Sequence, residues 1–568
     1  MKILGLNLGH DSSCTLLVNG KIIAACEEER YSKQKHTRSF PINAIKDCLK
    51  IGKLKIKDIN NISVGFLPSK HINEFYIKQC LEDPRKISLL IDGLDRIKNN
   101  FNLEKDIRKN LNYFNKIDFL NHHNCHLASA FYPSGFKSSL ILSIDGLGEF
   151  ETGQIGIGYK NKIRVISSEN NYPNSLGLIY AAITYYLGWK PFYDEGIVMG
   201  LAPLGNEKKK IPGSHLTYIN LFRKIIVNTG KLSYKINKNW ITYHYQRNTW
   251  LSKKFFDLMG KKRDYKSKIL DHHKNIAAAL QKRVEEIVLR QLKYLKRKYK
   301  INNLCIAGGV GLNCSLNGKI HDSKIFEKIF VKAASGDAGI SYGAALVSYF
   351  KGKNKPNFTN SNFYLGSFFT NQQIKKELNK YKKRIKFKKS LNISKEAAEL
   401  IYKNKILGWF QGAAEFGPRA LGNRSILAKP YPRKMKNHIN KNVKFREKFR
   451  PFAPAVMQEH AKSFFNIRQN SDHMLIAVKA KKKMVKKISA TVHVDGSSRV
   501  QTVSEKSNKK FYNLIKEFNF KSGVPVVLNT SFNIKGQPIV NDPKDAIECF
   551  MKYNINYLAI GDYLVQKI

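Results

Sequence analysis

The feature that most constrains the fold is a pattern of apolar strand, glycine turn and hairpin that occurs twice in the chain. The first copy begins with KILGLNL, turns at GHDSS and continues as CTLLV. It then reverses at Asn19-Gly20, a dipeptide typical of two-residue hairpins. The second copy begins with SLILSID, turns at GLGE and continues as TGQIGIGY, before KIRVISSE returns. Two copies of one supersecondary unit indicate an internal duplication.

Such a duplication is typical of the actin-like ATPase fold, in which two hairpin turns grip the phosphates of a nucleotide. At 568 residues the chain is long enough for more than one domain. The polar segment GKNKPNFTNSN has the composition of a linker. We therefore predict an α/β protein with a duplicated actin-like domain over residues 1–351, a linker over 352–362 and a separate α/β domain over 363–568.

Composition and charge narrow the classes of protein that the chain can represent. No stretch reaches the roughly 18–20 apolar residues that span a bilayer, so we expect no membrane insertion. The N-terminus lacks the pattern of a secretory signal, and the eight cysteines form no C-x-x-C pair, which indicates a cytoplasmic protein. The formal net charge of +56 favours anionic ligands, but the lysines are spread along the whole chain.

The stretch HHNCHLASAFYP contains the best candidates for a metal site. His122 and His126 are four residues apart, so a helix places both imidazoles on one face, where they can hold one cation. No glutamate lies between them, which excludes the zinc-protease motif. Asp337, in the turn SGDAG, is the best candidate for a third ligand. Two histidines with one carboxylate suit iron(II) or another divalent ion, and the structural alternative is a pair of core or capping histidines.

Three glycine turns have the features of phosphate-binding loops. GHDSS, DGLGE and AGGVGLN present backbone N–H groups and small side chains near the ends of strands. Asp11 or Asp145 can hold a Mg²⁺ ion that bridges phosphates. Neither a Walker A loop nor a Rossmann fingerprint is present. The turns therefore favour a nucleotide site of another kind.

An arginine-rich block in the C-terminal part indicates a site for a small anion. The guanidinium fork binds phosphate and carboxylate in a bidentate manner, and apolar neighbours and prolines indicate that these side chains are half-buried. A basic surface patch is the structural alternative. The candidate residues lie in EFGPRALGNRSIL, NVKFREKFRPFAPA and HVDGSSRVQTV, and they are Arg419, Arg424, Lys444, Arg446, Arg450 and Arg499.

Together these stretches resemble the NodU/CmcH-type O-carbamoyltransferases nearly from end to end. The resemblance is carried, in this order, by GLNLGHDSS, HHNCHLASAFYP, SIDGLGE, DEGIVMGLAPLG, CIAGGVGLNCSLNGKI, SGDAGISYGAAL, EFGPRALGNRSIL, KFREKFRPFAPAV, HVDGSSRVQTV and GVPVVLNTSFNIKGQPIV. It implies an N-terminal actin-like (ASKHA, TsaD-like) domain that binds metal and nucleotide, and a YrdC-like C-terminal domain. It also implies that carbamoyl phosphate and ATP give carbamoyl adenylate, whose carbamoyl group is transferred to an acceptor hydroxyl.

The resemblance also implies roles for individual residues. His10 and Asp11 are expected to be catalytic, with His10 as the base that deprotonates the acceptor hydroxyl. The expected iron ligands are His122, His126 and Asp337. The expected nucleotide-binding residues are Asp145, Gly308, Gly309 and Asn313, with ATP and Mg²⁺ as co-substrate. The expected carbamoyl phosphate site consists of Arg419, Arg424, Lys444, Arg446, Arg450, Arg499 and Asn529.

The expected substrates are carbamoyl phosphate, ATP and a small-molecule or glycan hydroxyl, such as a sugar or a natural product. One alternative is an enzyme of the tRNA threonylcarbamoyladenosine type, and the net charge of +56 suits tRNA. Another is a nucleic-acid-binding protein on an inactive ATPase-like fold, which the intact ligand set disfavours. The sequence leaves open the acceptor, the oligomeric state and the role of the basic segment 206–265.

Overall fold

The computed structural model describes residues 1–167, 170–351 and 362–568. By their contacts the described residues form two units: residues 1–22 with 52–361, and residues 23–51 with 362–568. The predicted linker over 352–362 lies outside the described residues except for Asn362. The chain is an α/β protein with mixed sheets, as the sequence predicts. The functional division at residues 351 and 363 stays a prediction.

Two five-stranded sheets share one topology, and all their strands apart from Lys21–Glu27 lie wholly in the first unit. In spatial order, the strands of one are Lys21–Glu27, Ser13–Val18, Lys2–Asn7, Asn61–Val64 and Lys116–Phe119. Those of the other are Lys162–Ser167, Gly153–Tyr159, Ser138–Ile144, Asn303–Ala307 and Lys328–Val331. The third strand of each order pairs antiparallel with its hairpin partner and parallel with the fourth strand. The repeated topology confirms the predicted duplication.

Local sequence explains the hairpin of the first repeat. Asn19 and Gly20 both adopt positive φ, 49° and 84°, as a two-residue hairpin turn requires. The strands Lys2–Asn7 and Ser13–Val18 are almost entirely buried, because helices cover the sheet. A small sheet of Ile226–Asn228 and Tyr234–Ile236 lies within the basic segment 206–265, which therefore carries its own secondary structure.

Helices of the first unit pack around the two sheets, and none of the helices in the described part of the chain has both the length and the hydropathy of a membrane span. The α-helices are Pro68–Lys70, Lys78–Glu82, Ile87–Ile91, Leu94–Leu111, His122–Phe131, Leu176–Tyr186, Glu195–Leu201, Tyr218–Ile225, Lys253–Met259, Asp271–Tyr299, Cys314–Asp322 and Ala338–Phe350. A π-helix spans His71–Ile77. Short 3₁₀ helices span Ile56–Asp58, Pro84–Lys86, Tyr132–Ser134, Ala202–Leu204, Lys238–Trp240 and Gly309–Leu312.

The helix Ala338–Phe350 lies very close to its neighbours, because small residues line its contacts. A Cβ atom on Gly343 would lie 1.9 Å from the carbonyl oxygen of Cys125, in the helix His122–Phe131. A Cβ on Gly5 would lie equally close, 1.9 Å, to the carbonyl oxygen of Ser341. Only glycine permits these approaches. The result is a rigid connection between the first sheet and the helix that carries the candidate metal-binding histidines.

The second unit contains an eight-stranded mixed sheet with both faces covered. In spatial order its strands are Ile385–Lys389, Tyr563–Lys567, Tyr557–Ile560, Leu407–Phe410, Arg424–Ala428, Val526–Ser531, Ala453–Met457 and Gln501–Val503. Trp409 packs into the core on one face and Phe410 into the core on the other, as the alternation of a strand dictates. A two-stranded sheet joins Ala477–Lys479 to Ser497–Arg499.

The helices of the second unit include a segment from the N-terminal part of the sequence. Glu29–Ser32 and Ile42–Ile51 belong to this unit by their contacts. The other α-helices are Asn371–Asn379, Ile393–Tyr402, Lys434–Asn442, Ala461–Phe464, Lys509–Ser522 and Pro543–Lys552, with 3₁₀ helices at Gln458–His460 and Lys482–Ile488. A buried ion pair of Arg30 with Glu27 anchors this segment, and Arg30 also donates to the carbonyl of Gly417 at 2.7 Å.

Candidate functional sites in the two units

The helix His122–Phe131 presents two imidazoles to one point. Asn121 caps the helix, and its side chain accepts a hydrogen bond from the backbone N–H of Asn124 at 3.0 Å. His122 and His126 lie one turn apart, with ring centroids separated by 4.7 Å. Both side chains are buried. The spacing that the sequence analysis used therefore produces the expected pair.

Two carboxylates complete a four-residue cluster, which we call the His–Asp cluster: His122, His126, Asp145 and Asp337. Asp145 Oδ2 lies 2.7 Å from His126 Nε2 and 3.4 Å from His122 Nε2. Asp337 Oδ1 lies 3.7 Å and 3.8 Å from the same two nitrogens. One ligand atom from each residue falls within 4.8 Å of all the others. Two imidazole nitrogens and two carboxylate oxygens in this arrangement fit a divalent cation.

The fold brings the two carboxylates to the histidines from different elements. Asp145 follows the strand Ser138–Ile144, and its Oδ1 accepts a hydrogen bond from Gly146 N at 2.7 Å. Asp337 directly precedes the helix Ala338–Phe350, which packs on the histidine helix through Gly343. The sequence analysis predicted Asp337 at this position. It assigned Asp145 to nucleotide, and the structure places its carboxylate in contact with both histidines.

The side chains of the His–Asp cluster shift one another's pKa values. Burial disfavours the charged imidazolium, but the hydrogen bond with Asp145 and the charge of Asp337 outweigh it and raise the pKa of His122 to about 9. Burial alone would raise the pKa of Asp145, yet its hydrogen bonds with the two histidines hold that pKa well below its usual range. Burial and the neighbouring charge of Asp145 raise the pKa of Asp337. Opposite charges therefore stabilise the cluster from within.

Glu149 supports the histidine helix from outside the cluster. One of its carboxylate oxygens accepts hydrogen bonds from the backbone N–H groups of His122 and Leu67, each at 2.9 Å, and the other accepts from Asn121 Nδ2 at 3.0 Å. A carboxylate at a helix N-terminus also interacts favourably with the helix dipole. Glu149 lies in the quoted stretch SIDGLGE, and sequence reasoning assigned it no role. Glu149 is more than twenty residues from the two histidines in the sequence, so no local pattern predicts this contact.

His123 is a core histidine with a structural role. Its Nδ1 lies 2.9 Å from Ser143 Oγ, and its Nε2 lies 3.0 Å from the carbonyl oxygen of Glu151. Burial and the charges of the two neighbouring histidines lower the pKa of His123 to about 3. It is therefore neutral near pH 7 and bonded through both nitrogens.

The glycine turn at residues 308–309 lies against the His–Asp cluster. Gly308 adopts φ 85°, and a Cβ there would lie 2.1 Å from the carbonyl oxygen of Ile144. A Cβ on Gly309 would lie 3.0 Å from Asp145 Oδ1. Asn313 caps the helix Cys314–Asp322, and its amide also bonds with Gln281 at 2.9 Å and 3.2 Å. The turn is adjacent to the cluster, whereas the Asn313 side chain is already engaged. The nucleotide-binding roles of these residues stay predictions.

His10 and Asp11 lie in the turn after the first strand. His10 Nδ1 is 3.3 Å from Asp11 Oδ2, and both side chains are partly exposed. The amide of Asn7 donates to the carbonyl oxygens of His10 at 2.6 Å and Asp11 at 3.1 Å, which fixes the turn. A neighbouring carboxylate orients an imidazole. The arrangement suits a general base, and the catalytic role stays a prediction.

In the second unit, Arg424 is fully buried and its donors meet backbone carbonyls. Nη1 donates to the carbonyl oxygens of Gln411, Gly412 and Asn423 at 2.6, 3.2 and 3.1 Å, and Nη2 donates to that of Ser367 at 3.0 Å. Burial lowers the pKa of Arg424 to about 9. The guanidinium group therefore ties together the loop around residues 411–423, and these bonds leave it poorly placed to bind an anion as well.

The same loop is shaped by Glu415. Its Oε1 accepts hydrogen bonds from the backbone N–H groups of Leu421 and Asn423, each at 2.8 Å, and from that of Arg424 at 3.2 Å. One buried carboxylate thus folds EFGPRALGNR into a compact turn that contains Arg419. Sequence reasoning did not single out Glu415, although it stands at the start of the most distinctive stretch.

Lys444 is also engaged by the protein itself. Its ammonium group donates to the carbonyl oxygen of Ser531 at 2.9 Å and to the carbonyl and side-chain oxygens of Asn533 at 2.7 and 2.8 Å. Burial, together with the charge of Arg446, lowers its pKa well below the usual range. Lys444 therefore holds the end of the strand Val526–Ser531 and the turn after it.

Arg446, Arg450 and Arg499 form a group of like charges, which we call the guanidinium cluster. Arg446 donates to Asn440 Oδ1 at 2.7 Å and stacks 4.6 Å from the centroid of the Phe452 ring. Burial and the charges of Arg450 and Arg499 lower the pKa of Arg446 well below its usual range. Arg450 also lies 3.7 Å from Glu447. Guanidinium groups close to one another can bind a small anion, and this role stays a prediction.

The side chain of Asn529 is buried, and its nitrogen and oxygen atoms differ in their hydrogen bonding. Its Nδ2 donates to Gln501 Oε1 at 2.8 Å and to the carbonyl of Ala420 at 3.2 Å. Its Oδ1 is buried and has no hydrogen-bond partner among the described residues. Gln501 in turn donates to the carbonyl of Leu421 at 2.7 Å, so Asn529 is linked to the loop that carries Arg419. Gln501 was not predicted from the sequence.

The described residues form two α/β units, and they include the His–Asp cluster in the first unit and the guanidinium cluster in the second. Residues 2–346 match the family described as carbamoyltransferase N-terminus, and residues 398–567 match that described as carbamoyltransferase C-terminus. The chain therefore belongs to the carbamoyltransferase family, as the resemblance predicted, and is a carbamoyltransferase enzyme.

Relatives match over nearly the whole chain. Nodulation protein NolNO of Sinorhizobium fredii is 35% identical over 98% of this chain and 79% of its own length. The uncharacterized protein sll1178 of Synechocystis is 33% identical over 100% of this chain and 96% of its own length. The uncharacterized protein MJ1051 of Methanocaldococcus jannaschii is 32% identical, with 100% of both chains covered.

Proposed function

We propose that the chain is an O-carbamoyltransferase that uses carbamoyl phosphate and ATP to modify a hydroxyl group of a sugar or natural product. The overall reaction converts carbamoyl phosphate, ATP, water and the acceptor alcohol into the carbamate ester, AMP, pyrophosphate and phosphate. The observation that carries the proposal is the guanidinium cluster, because three like charges are brought together within residues that match the carbamoyltransferase C-terminus. A small acyl phosphate adds negative charge to that of Glu447, which lies 3.7 Å from Arg450.

The first step takes place at the guanidinium cluster. Hydrolysis of the C–O–P linkage of carbamoyl phosphate gives carbamate and phosphate, and a carbamate oxygen then attacks the α-phosphorus of ATP and expels pyrophosphate. Arg446, Arg450 and Arg499 neutralise the anionic substrate. We assign Arg424 and Lys444 to the scaffold, because backbone oxygens occupy their donors. Arg419 and the buried Asn529 Oδ1 stay in the proposed site.

The second step takes place in the first unit. His10 removes the proton of the acceptor hydroxyl, whose oxygen attacks the carbonyl carbon of carbamoyl adenylate and releases AMP. The turn at Gly308 and Gly309 lies against Ile144 and Asp145, and backbone N–H groups of such a glycine turn can bind a phosphate. The duplicated sheets support the actin-like assignment of this unit. The YrdC-like assignment of the second unit rests on the family resemblance.

The His–Asp cluster would hold the divalent cation. Its two imidazoles and two carboxylates fit iron(II), as the resemblance implies, or another divalent ion. When bound, such an ion supplies Lewis acidity toward a carbonyl or phosphoryl oxygen. Glu149 fixes the start of the helix that carries both histidines and so maintains their orientation.

A screen of acceptors with isotope-labelled carbamoyl phosphate and ATP tests the proposal. Mass spectrometry should show an acceptor that gains one labelled carbamoyl group only when both co-substrates are present. Transfer of phosphate to the acceptor, or transfer of carbamoyl without ATP, would overturn the mechanism. Transfer to tRNA in the same screen would favour the alternative that the charge of +56 suggested.

A further inference from the structure

Aromatic side chains stand beside His10 at the edge of the proposed transfer site. The ring centroid of His10 lies 6.2 Å from that of Phe192 and 6.1 Å from that of Tyr193. Phe192 in turn lies 5.5 Å from Trp250. We call Phe192, Tyr193 and Trp250 the aromatic surface. Neither the resemblance nor the proposed chemistry assigns these residues a role.

Phe192 connects His10 to the His–Asp cluster. A Cβ atom on Gly146 would lie 3.8 Å from the Phe192 ring, and Gly146 directly follows Asp145 and donates to its carboxylate. The same phenylalanine therefore adjoins both the proposed base and the turn that carries a cluster carboxylate. Phe192 is also one of the exposed large apolar side chains of the described residues.

The conformation of Phe192 is unfavourable for a side chain that only fills space. Its φ is 65°, in the left-handed region that bulky residues avoid at a cost of order 1 kcal/mol. The residue is nevertheless 38% exposed, so this strained position leaves part of an apolar ring open to solvent. Strained residues of this kind cluster at functional sites. The strained backbone thus keeps a partly exposed aromatic ring beside His10.

The rest of the aromatic surface is fixed by its surroundings. The ammonium group of Lys190 lies 3.6 Å from the centroid of the Tyr193 ring, a cation–π contact that orients it. Trp250 packs against the buried Tyr243, with centroids 6.2 Å apart. Trp250 belongs to the basic segment 206–265, whose role the sequence left open. This part of the segment contributes to the surroundings of His10.

We infer that the aromatic surface binds the acceptor and that the acceptor presents a cyclic polyol, a sugar ring, to it. The inference rests on the proposed function, since it places the acceptor at His10. A pyranose has an apolar face of C–H groups and a rim of hydroxyls. Aromatic rings bury the apolar face, and the rim stays free for polar groups such as His10 and Asp11. An acyclic polyol offers the same hydroxyls without the flat face.

Binding without catalysis tests the surface independently of carbamoyl transfer. Fluorescence of the full chain, which has four tryptophans, is titrated with methyl glucoside, methyl galactoside, methyl mannoside, methyl fucoside and N-acetylglucosamine, without ATP or carbamoyl phosphate. At least one sugar should change the emission, sorbitol should not, and Trp250→Phe should remove the change. If no sugar acts, or if sorbitol acts equally, the surface is not a sugar site.

Kinetics with the acceptor found in the screen complete the test. Phe192→Ala should raise KM for the acceptor about tenfold, because the ring loses its stacking contact, whereas Phe192→Tyr should restore it. Phe114→Ala, an exposed phenylalanine of the same unit, is the matched control. An unchanged KM in Phe192→Ala would overturn the inference even if transfer itself is observed. Sugar binding without any transfer would instead refute the proposed function.

Discussion

The His–Asp cluster and the guanidinium cluster both concentrate charged side chains. They differ in the signs of the charges that they bring together. In the first, two imidazoles face two carboxylates, and the hydrogen bonds among them shift the pKa of His122 upward and that of Asp145 downward. In the second, burial and the charges of Arg450 and Arg499 lower the pKa of Arg446, and Glu447 lies 3.7 Å from Arg450. The first cluster has two carboxylates for two imidazoles, whereas the second has, among the described residues, one carboxylate for three guanidinium groups.

The comparison teaches that residue type alone does not identify a binding residue. Both histidines that were predicted as ligands point into the His–Asp cluster. Among the seven predicted residues of the anion site, however, Arg424 and Lys444 donate to backbone oxygens of their own unit. The same kind of cation serves as a scaffold where carbonyls surround it, and we propose that it binds substrate where other cations lie near it. Variants can separate these two uses.

The largest effect is expected from His126→Ala. The variant loses a nitrogen that lies 2.7 Å from Asp145, so it should lose bound divalent metal and lower the transfer rate by about 10³-fold. Metal analysis of the purified protein and product formation measure the two effects. His438→Ala, which changes an exposed histidine, is the control. Wild-type metal content in His126→Ala would remove this residue from the ligand set.

The next largest effect is expected from Arg424→Lys, and it concerns stability. Lysine keeps the charge but cannot reach the carbonyls of Gln411, Gly412 and Ser367 together, so the variant should lose about 3 kcal/mol of unfolding free energy. Urea unfolding followed by circular dichroism measures the loss. If stability is retained while only the affinity for carbamoyl phosphate falls, Arg424 binds substrate and the scaffold assignment is wrong.

A smaller change, confined to the first chemical step, is expected from Arg450→Ala. Removal of one guanidinium group should reduce carbamoyl phosphate-dependent release of pyrophosphate from ATP by about 10²-fold, because a charge-assisted contact with the anion is lost. Stability should change little, because the reduced charge repulsion at Arg446 offsets the loss of the 3.7 Å ion pair with Glu447. Arg433→Ala, at an exposed position, provides the matched control. Full pyrophosphate release by Arg450→Ala would exclude Arg450 from the site.

The smallest effect is expected from Glu415→Gln. The amide keeps one acceptor oxygen for the backbone N–H groups of Leu421 and Asn423 but loses the charge, which should cost about 1 kcal/mol of unfolding free energy. Thermal unfolding of the variant beside wild type measures this difference. A loss as large as that of Arg424→Lys would show that the charge of Glu415 itself holds the loop.

The sequence predicts those parts of the structure that depend on local pattern. The Asn19-Gly20 turn and the strand–glycine–hairpin repeat identify the duplication, because each depends on a few residues that are adjacent in the sequence. The spacing of His122 and His126 likewise fixes a shared helix face. These predictions needed no knowledge of distant contacts.

The rest depends on packing between distant segments. Asp145 joins the histidines because a strand end and a helix converge, and the close approach at Gly343 brings in the helix that follows Asp337. No local pattern shows that the segment 23–51 belongs with the second unit, or that Arg424 turns toward backbone carbonyls. The direction of a side chain follows from the tertiary fold, which local periodicity does not encode.

The most direct measurement follows the phosphorus of ATP when the purified chain receives labelled carbamoyl phosphate and an acceptor. Phosphorus NMR should show AMP and pyrophosphate formed together, in amounts equal to the labelled carbamate ester found by mass spectrometry. Formation of ADP and phosphate in place of AMP and pyrophosphate, or of the ester with ATP unconsumed, would contradict activation of the carbamoyl group as an adenylate.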